Sequence, residues 1–141
     1  MKWKVGDSAQ LTAVVDDQRI RNFAVAVEDL NPIHLDDEAA MKSIFGRRVA
    51  HGMISASFIS AILGTRLPGP GSILLGQSFK YIAPVYVDDI VTASVTVTAI
   101  RDDKPILTLD TKAVNQHGQT VLTGEATVLF RELDDWRERQ S

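Results

Sequence analysis

The chain has 141 residues, 45% of them hydrophobic and 23% charged, which suits one soluble globular domain spanning 1–141 and leaves too little length for two independent cores. Cysteine is absent, which excludes disulfides, thiolate metal ligands and a cysteine nucleophile together. The 15 Lys and Arg against 18 Asp and Glu give a net charge of -3, so no nucleic-acid partner is expected, because such a partner needs a concentrated basic field.

The opening MKWKVGDSAQ sets two lysines beside Gly6 and Asp7 rather than ahead of an apolar run of signal-peptide length. The longest apolar stretch, around Gly52 to Leu63, is broken by serines and falls short of the roughly 20 residues that cross a bilayer. A cytoplasmic protein without a membrane partner is expected.

Ser8 to Val15 reads as a short strand, and Asp16 or Asp17 suits a helix N-cap. Ile20, Phe23, Ala24 and Val27 then recur at helical spacing, predicting an amphipathic helix that ends near Leu30 because Pro32 disfavours the α conformation before it. A second helix is predicted from Asp36 or Asp37 to Ile44, stopped by Gly46. A third runs from Gly52 to Leu63 with Gly64 as its cap, and being apolar nearly all round it is expected to be buried.

From Ser72 the period changes to two. Strands are predicted at Ser72 to Ile82, Asp89 to Arg101, Ile106 to Asn115 and Gln119 to Phe130, forming a four-strand meander. Val91, Ala93, Val95, Val97 and Ala99 share one face of the second of these, and Thr92, Ser94, Thr96 and Thr98 the other. Residues 131–141 form a polar C-terminal tail. An α+β fold, with an antiparallel sheet curled around a central helix, accommodates this order.

Residues with chemistry gather in two segments. AVEDLNPIHLDDEAA sets Asp29, Asn31 and His34 around a stiff proline, and RRVAHGMISASFIS brings His51 and Gly52 to a helix start, with Ser57 and Ser60 along that helix. A carboxylate and an imidazole facing one another can hold a water and move its protons near neutral pH. A helix-start N–H can bond a developing oxyanion. Taken singly, each residue also has an ordinary structural use: an Asx turn for Asn31, a helix start for His51, a bond to the carbonyl four residues back for either serine.

The two segments together resemble the hydratase 2 motif of the MaoC-like family, in particular its short (R)-specific enoyl-CoA hydratases: DLNPIH, then LDDEAA, then FGRRVAHGMISASFIS. The likeness extends through LPGPGSILLGQSFKYIAPVYVDD to TGEATV. It implies a hot-dog fold assembled as a homodimer, and a hydro-lyase that adds water syn to a trans-2-enoyl-CoA, giving the (R)-3-hydroxyacyl-CoA. Asp29 and His34 match the catalytic pair, Asn31 and Pro32 shape their loop, Ser60 matches a supporting serine, and Gly52 matches the glycine whose N–H faces the thioester carbonyl, with His51 beside it. Arg47, Arg48 and Lys80 are candidates for the coenzyme A phosphates. No metal or other cofactor is expected, coenzyme A being part of the substrate. The alternatives are a 3-hydroxyacyl-carrier-protein dehydratase of fatty-acid synthesis and a non-catalytic acyl-CoA-binding subunit. Polyester precursor supply and fatty-acid oxidation both fit the product.

Overall fold

A computed structural model describes residues 2–133. Among these, the chain runs β1 (Ser8–Val15), α1 (Asp17–Val27), α2 (Pro32–Leu35), α3 (Asp37–Met41), α4 (Gly52–Thr65), β2 (Ser72–Tyr81), β3 (Asp89–Ile100), β4 (Ile106–Val114) and β5 (Thr120–Phe130). The strands form one antiparallel sheet in the order β1-β3-β4-β5-β2, and α4 packs on its apolar face. The α+β hot-dog arrangement is therefore present. Ile54, Ile59 and Ile62 of α4 meet Val91, Val95, Leu107, Leu109, Leu122 and Val128 of the sheet in the core. Each of these fully buried side chains contributes about 1.5–3 kcal/mol through removal from water.

The meander is shorter than the sequence suggests. Only β3, β4 and β5 follow one another as hairpin neighbours, and β2 joins the far edge, pairing from Ser72 with Phe130 to Tyr81 with Leu122. Residues 82–88 are too long for a tight hairpin and instead cross the end of the sheet. That crossover is tied at three points: Ile82 N–H donates to the Val121 carbonyl (2.9 Å), Ala50 N–H to Val85 (2.7 Å) and Asp88 N–H to Val15 (2.7 Å).

A bulge between Val97 and Ala99 also interrupts the alternation of β3. It turns Ala99 outward and brings Ile100 against the core, so the alternation that holds up to Val97 changes phase there.

The helix boundaries depart from expectation in instructive ways. Asp16 caps α1 as expected, accepting the Arg19 N–H at 2.8 Å, but the helix stops at Val27 because Glu28 turns left-handed at φ 63. The segment before Asp36 is not simply a loop. Asn31 caps a one-turn helix whose first residue is Pro32, a place where the missing N–H costs nothing. The following helix ends at Met41 rather than Ile44, and the Ser43 hydroxyl donates to the Ala40 carbonyl at 2.6 Å. Gly64 lies inside α4, which closes one residue later.

Nor is α4 buried all round in the single chain. Met53, Ser57, Ser60 and Gly64, at helical spacing, form an exposed stripe. Gly118 takes the positive φ (76°) of the expected β4–β5 turn. The polar tail lies, from residue 134 onward, outside the described residues. Among those described, no helix is long and apolar enough to cross a membrane.

Candidate active site

The early end of α1 builds the site. With Glu28 left-handed, the chain reverses at once, and the Asp29 carboxylate accepts the N–H of Asn31 at 3.2 Å while the Asn31 side chain accepts the N–H of Ile33 at 3.1 Å. These nested turns launch α2 and direct His34, on its one turn, into the protein.

His34 is 9% exposed and its ring meets main chain. Its Nδ1 lies 2.7 Å from the Val49 carbonyl oxygen. A carbonyl only accepts, so Nδ1 carries the proton and the neutral ring presents Nε2 as an acceptor. Val49 is held in turn by a bridge to Tyr86 of the crossover.

Burial holds the His34 pKa below the ordinary histidine value, as does the nearby His51 ring to a smaller degree, against the opposing effects of the Val49 carbonyl and the Asp29 carboxylate.

His51 stands at the start of α4 and is 3% exposed. Its Nε2–H donates to the Asp29 main-chain carbonyl at 2.9 Å. The His51 and His34 rings stack with centroids 3.8 Å apart, and Phe23 of α1 meets His51 edge-on at 5.1 Å. A carboxylate oxygen of Asp29 and one ring nitrogen from each histidine all lie within 4.8 Å of one another. A single water can bridge a carboxylate and an imidazole nitrogen at that separation.

The same trio is the set of donors that could approach a metal ion. The rings lie only 27° from parallel, however, so their in-plane lone pairs do not converge on one ion.

Gly52 follows directly. As the first residue of α4 its N–H has no acceptor within the helix, and a Cβ there would sit 2.7 Å from the Tyr81 ring. Two cavities flank this turn. One, of about 500 Å³, lies between α1, α4 and β2 and is lined by Phe23, Ser60, Leu63 and Gln77. The other, of about 570 Å³, is bounded by Val49, Gly52, Ser55 and Tyr81. Neither is lined by Asp29 or His34, but each reaches a residue touching the pair's surroundings, Phe23 in the first and Val49 in the second.

The structure thus brings together Asp29, Asn31, His34, His51 and Gly52. Ser60 stands about 12 Å farther along α4, on the first cavity wall. Ser57 bonds the carbonyl three residues back, at 2.6 Å, rather than four.

The three expected phosphate cations fare differently. Arg48 is already committed, with Nε donating to the His34 carbonyl at 2.8 Å and Nη2 paired with Asp17 at 2.6 Å. Arg47 lies over the Tyr86 ring at 3.5 Å. Lys80 is exposed on β2, on the strand face opposite to Gln77 and Phe79. Sequence reading also missed Tyr81 and Gln77, whose only signal is the strand period that turns both toward α4.

Arg48 braces the site from below, and its hydrogen bonds hold the Asp17 carboxyl below its ordinary range, with Arg21 adding to this. Arg48→Met is expected to lower Tm, and the loss to be largest at and above the ordinary carboxylate range. It narrows as pH falls through the depressed Asp17 value, where the wild-type pair is itself protonated away. Melting curves at pH 7 and pH 3 check this.

The MaoC like domain family matches residues 4–120. The chain belongs to the MaoC-like family. Over 125 residues this MaoC-like protein is 48% identical to the (R)-specific enoyl-CoA hydratase of Aeromonas caviae, covering 89% of this chain and 93% of that one. It is 47% identical over 126 residues to the (R)-specific enoyl-CoA hydratase of Rhodospirillum rubrum, covering 89% and 87%. The solved structure of the (R)-hydratase from A. caviae involved in PHA biosynthesis superposes with a TM-score of 0.89 at 46% identity, covering 92% of this chain and 98% of that one.

Proposed function

We propose that this MaoC-like protein is an (R)-specific enoyl-CoA hydratase, a hydro-lyase working through Asp29 and His34. The observation that carries the reading is the fixed tautomer of His34: with Nδ1–H spent on the Val49 carbonyl, its Nε2 is left as the proton acceptor of a ring that has a nitrogen within 4.8 Å of an Asp29 carboxylate oxygen. Water held between the two attacks C3 of the enoyl thioester. Its proton passes to Nε2 and returns to C2 from the same face, so the one water supplies both added groups. Charge moving onto the thioester oxygen is met by the N–H of Gly52, which has no acceptor within α4. Ser60, Asn31 and Pro32 support this arrangement. No metal or other cofactor enters, and Arg47 is the remaining candidate among the three cations for a coenzyme A phosphate.

The absorbance of the conjugated enoyl thioester tests the reading. Crotonyl-CoA should lose it on mixing with the protein and yield the (R)-3-hydroxy product. Persistence of the absorbance, or an (S) product, defeats the assignment, and a strong preference for the carrier-protein thioester favours the dehydratase.

The pH dependence has a defined sign. His34 must be neutral to accept a proton, and burial favours its neutral form. Plotted as kcat/KM, the His34 limb should therefore stay flat down to the ordinary histidine value of about 6.5 and fall only below it. A limb centred above that value contradicts the role.

We also read the protein as a cytoplasmic homodimer. The exposed stripe of α4 and the edge strand β2, where Ile73, Leu74 and Leu75 are 56%, 47% and 54% exposed, offer an apolar surface that a second copy would cover. Light scattering at assay concentration should give twice the monomer mass.

A further inference from the structure

We propose that His51 is a positioning residue of the catalytic pair: an imidazole that clamps the main chain of Asp29 through Nε2–H and carries the ring of His34 on its face. This rests on the hydratase reading above and extends it to a residue that does not touch the reacting atoms.

Its contacts are unlike those of an ordinary helix start. At the N-cap a Ser, Thr, Asp or Asn side chain would accept a first-turn N–H, worth about 1 kcal/mol, yet His51 makes no such bond. Its one side-chain hydrogen bond among the described residues instead runs back 22 residues to the Asp29 carbonyl. That carbonyl directly follows Glu28, which holds a left-handed φ of 63 without being glycine, a conformation that persists where the surroundings fix it. The clamp supplies such a constraint at the point where the Asp29 carboxylate is aimed.

The opposite edge of the ring makes no bond: Nδ1 is buried with no hydrogen-bond partner among the described residues, so the bond from Nε2–H to Asp29 is the ring's polar tether. Its neighbours fix the ring plane, Phe23 of α1 meeting it edge-on at 5.1 Å and His34 of α2 stacking on it with centroids 3.8 Å apart. The Nε2 bond sets where the Asp29 main chain lies, and the stack sets the plane of the His34 ring, so one side chain touches both members of the pair.

Two variants separate this from a packing role. His51→Phe keeps the ring and removes the donor; His51→Gln keeps a donor that reaches the Asp29 carbonyl and removes the ring. His51→Phe is expected to lower kcat about 10- to 100-fold with KM within about threefold, and His51→Gln to retain a kcat within about tenfold of wild type. In both, the His34 imidazole, followed by NMR, should titrate at higher pH than in wild type, because both remove the imidazole whose coulombic effect helps hold the His34 value down. If His51 only fills space, Tm falls while the folded fraction turns over at the wild-type rate and His34 titrates unchanged; that result in both variants overturns the proposal. Should His51→Phe not fold, His51→Gln decides by the His34 titration. Because that titration needs no substrate, it judges the His51 assignment even if wild-type protein fails to hydrate an enoyl thioester, an outcome that would sink only the hydratase reading.

Discussion

Replacing Asp29 with Asn, or His34 with Asn, is expected to lower kcat for crotonyl-CoA hydration by about 10² to 10⁴-fold each, the range for loss of a proton-transfer group. Asp29→Asn is the cleaner change. The side chain is exposed, and Asn keeps an oxygen for the Asn31 N–H that the carboxylate now accepts at 3.2 Å, so the turn survives while the negative acceptor is lost. In His34→Asn the amide nitrogen stands where Nδ1 stood and can still donate to the Val49 carbonyl, so the loss reports the missing Nε2 more than a lost tether. The double variant should be little worse than the poorer single one, because the two residues act on one water. Steady-state rates at several substrate concentrations check all three, and near wild-type kcat in either single variant would remove that residue from the mechanism.

Gly124→Ala carries the largest expected effect on stability. Gly124 pairs with Phe79 across β5 and β2, and a Cβ there would overlap the Ser78 carbonyl oxygen and come within 3.2 Å of the Gln77 amide nitrogen. The overlap is with main chain inside a paired strand, so no rotamer relieves it. The Gln77 side chain is itself fixed, donating to the Ser78 carbonyl at 2.8 Å and to the Thr111 hydroxyl at 3.1 Å. The expected loss is about 3 kcal/mol, the upper end for overpacking, and a Tm lower by about 10 °C. A melting curve within about 2 °C of wild type would show that β2 and β5 separate there at little cost.

Much of this architecture is written in local pattern. The period of two from Ser72 onward and the apolar character of α4 place sheet and helix correctly, because each follows from which side chains must leave water. The partner of β2 is not local information. Nothing in residues 82–88 says that they cross the end of the sheet rather than turn back, since the bonds that hold them there come from Val15, Ala50 and Val121. The bulge that reverses Ala99 and Ile100 is equally silent, as both are small enough or apolar enough for either face.

At the site, Asp29, Asn31, His34, His51 and Gly52 are legible because they carry distinctive side chains at close spacing. Arg48 misleads for a physical reason: a sequence shows its charge but not Asp17, 31 residues away, which neutralises it. The tautomer of His34 could not be read at all, being set by a carbonyl that every residue possesses.

That last fact extends well beyond the histidine. The Val49 carbonyl is held in place by the bridge to Tyr86 and by the neighbouring bond from Ala50 N–H to Val85, so the protonation pattern of His34 is inherited from a crossover strap at the end of the sheet. Side-chain replacements at Val85 or Tyr86 leave those peptide groups in place, whereas a one-residue insertion or deletion in 82–88 would slide them. Length, not composition, is thus what this strap must keep, and natural or engineered variation there should appear as exchange of residues and almost never as a change in their number.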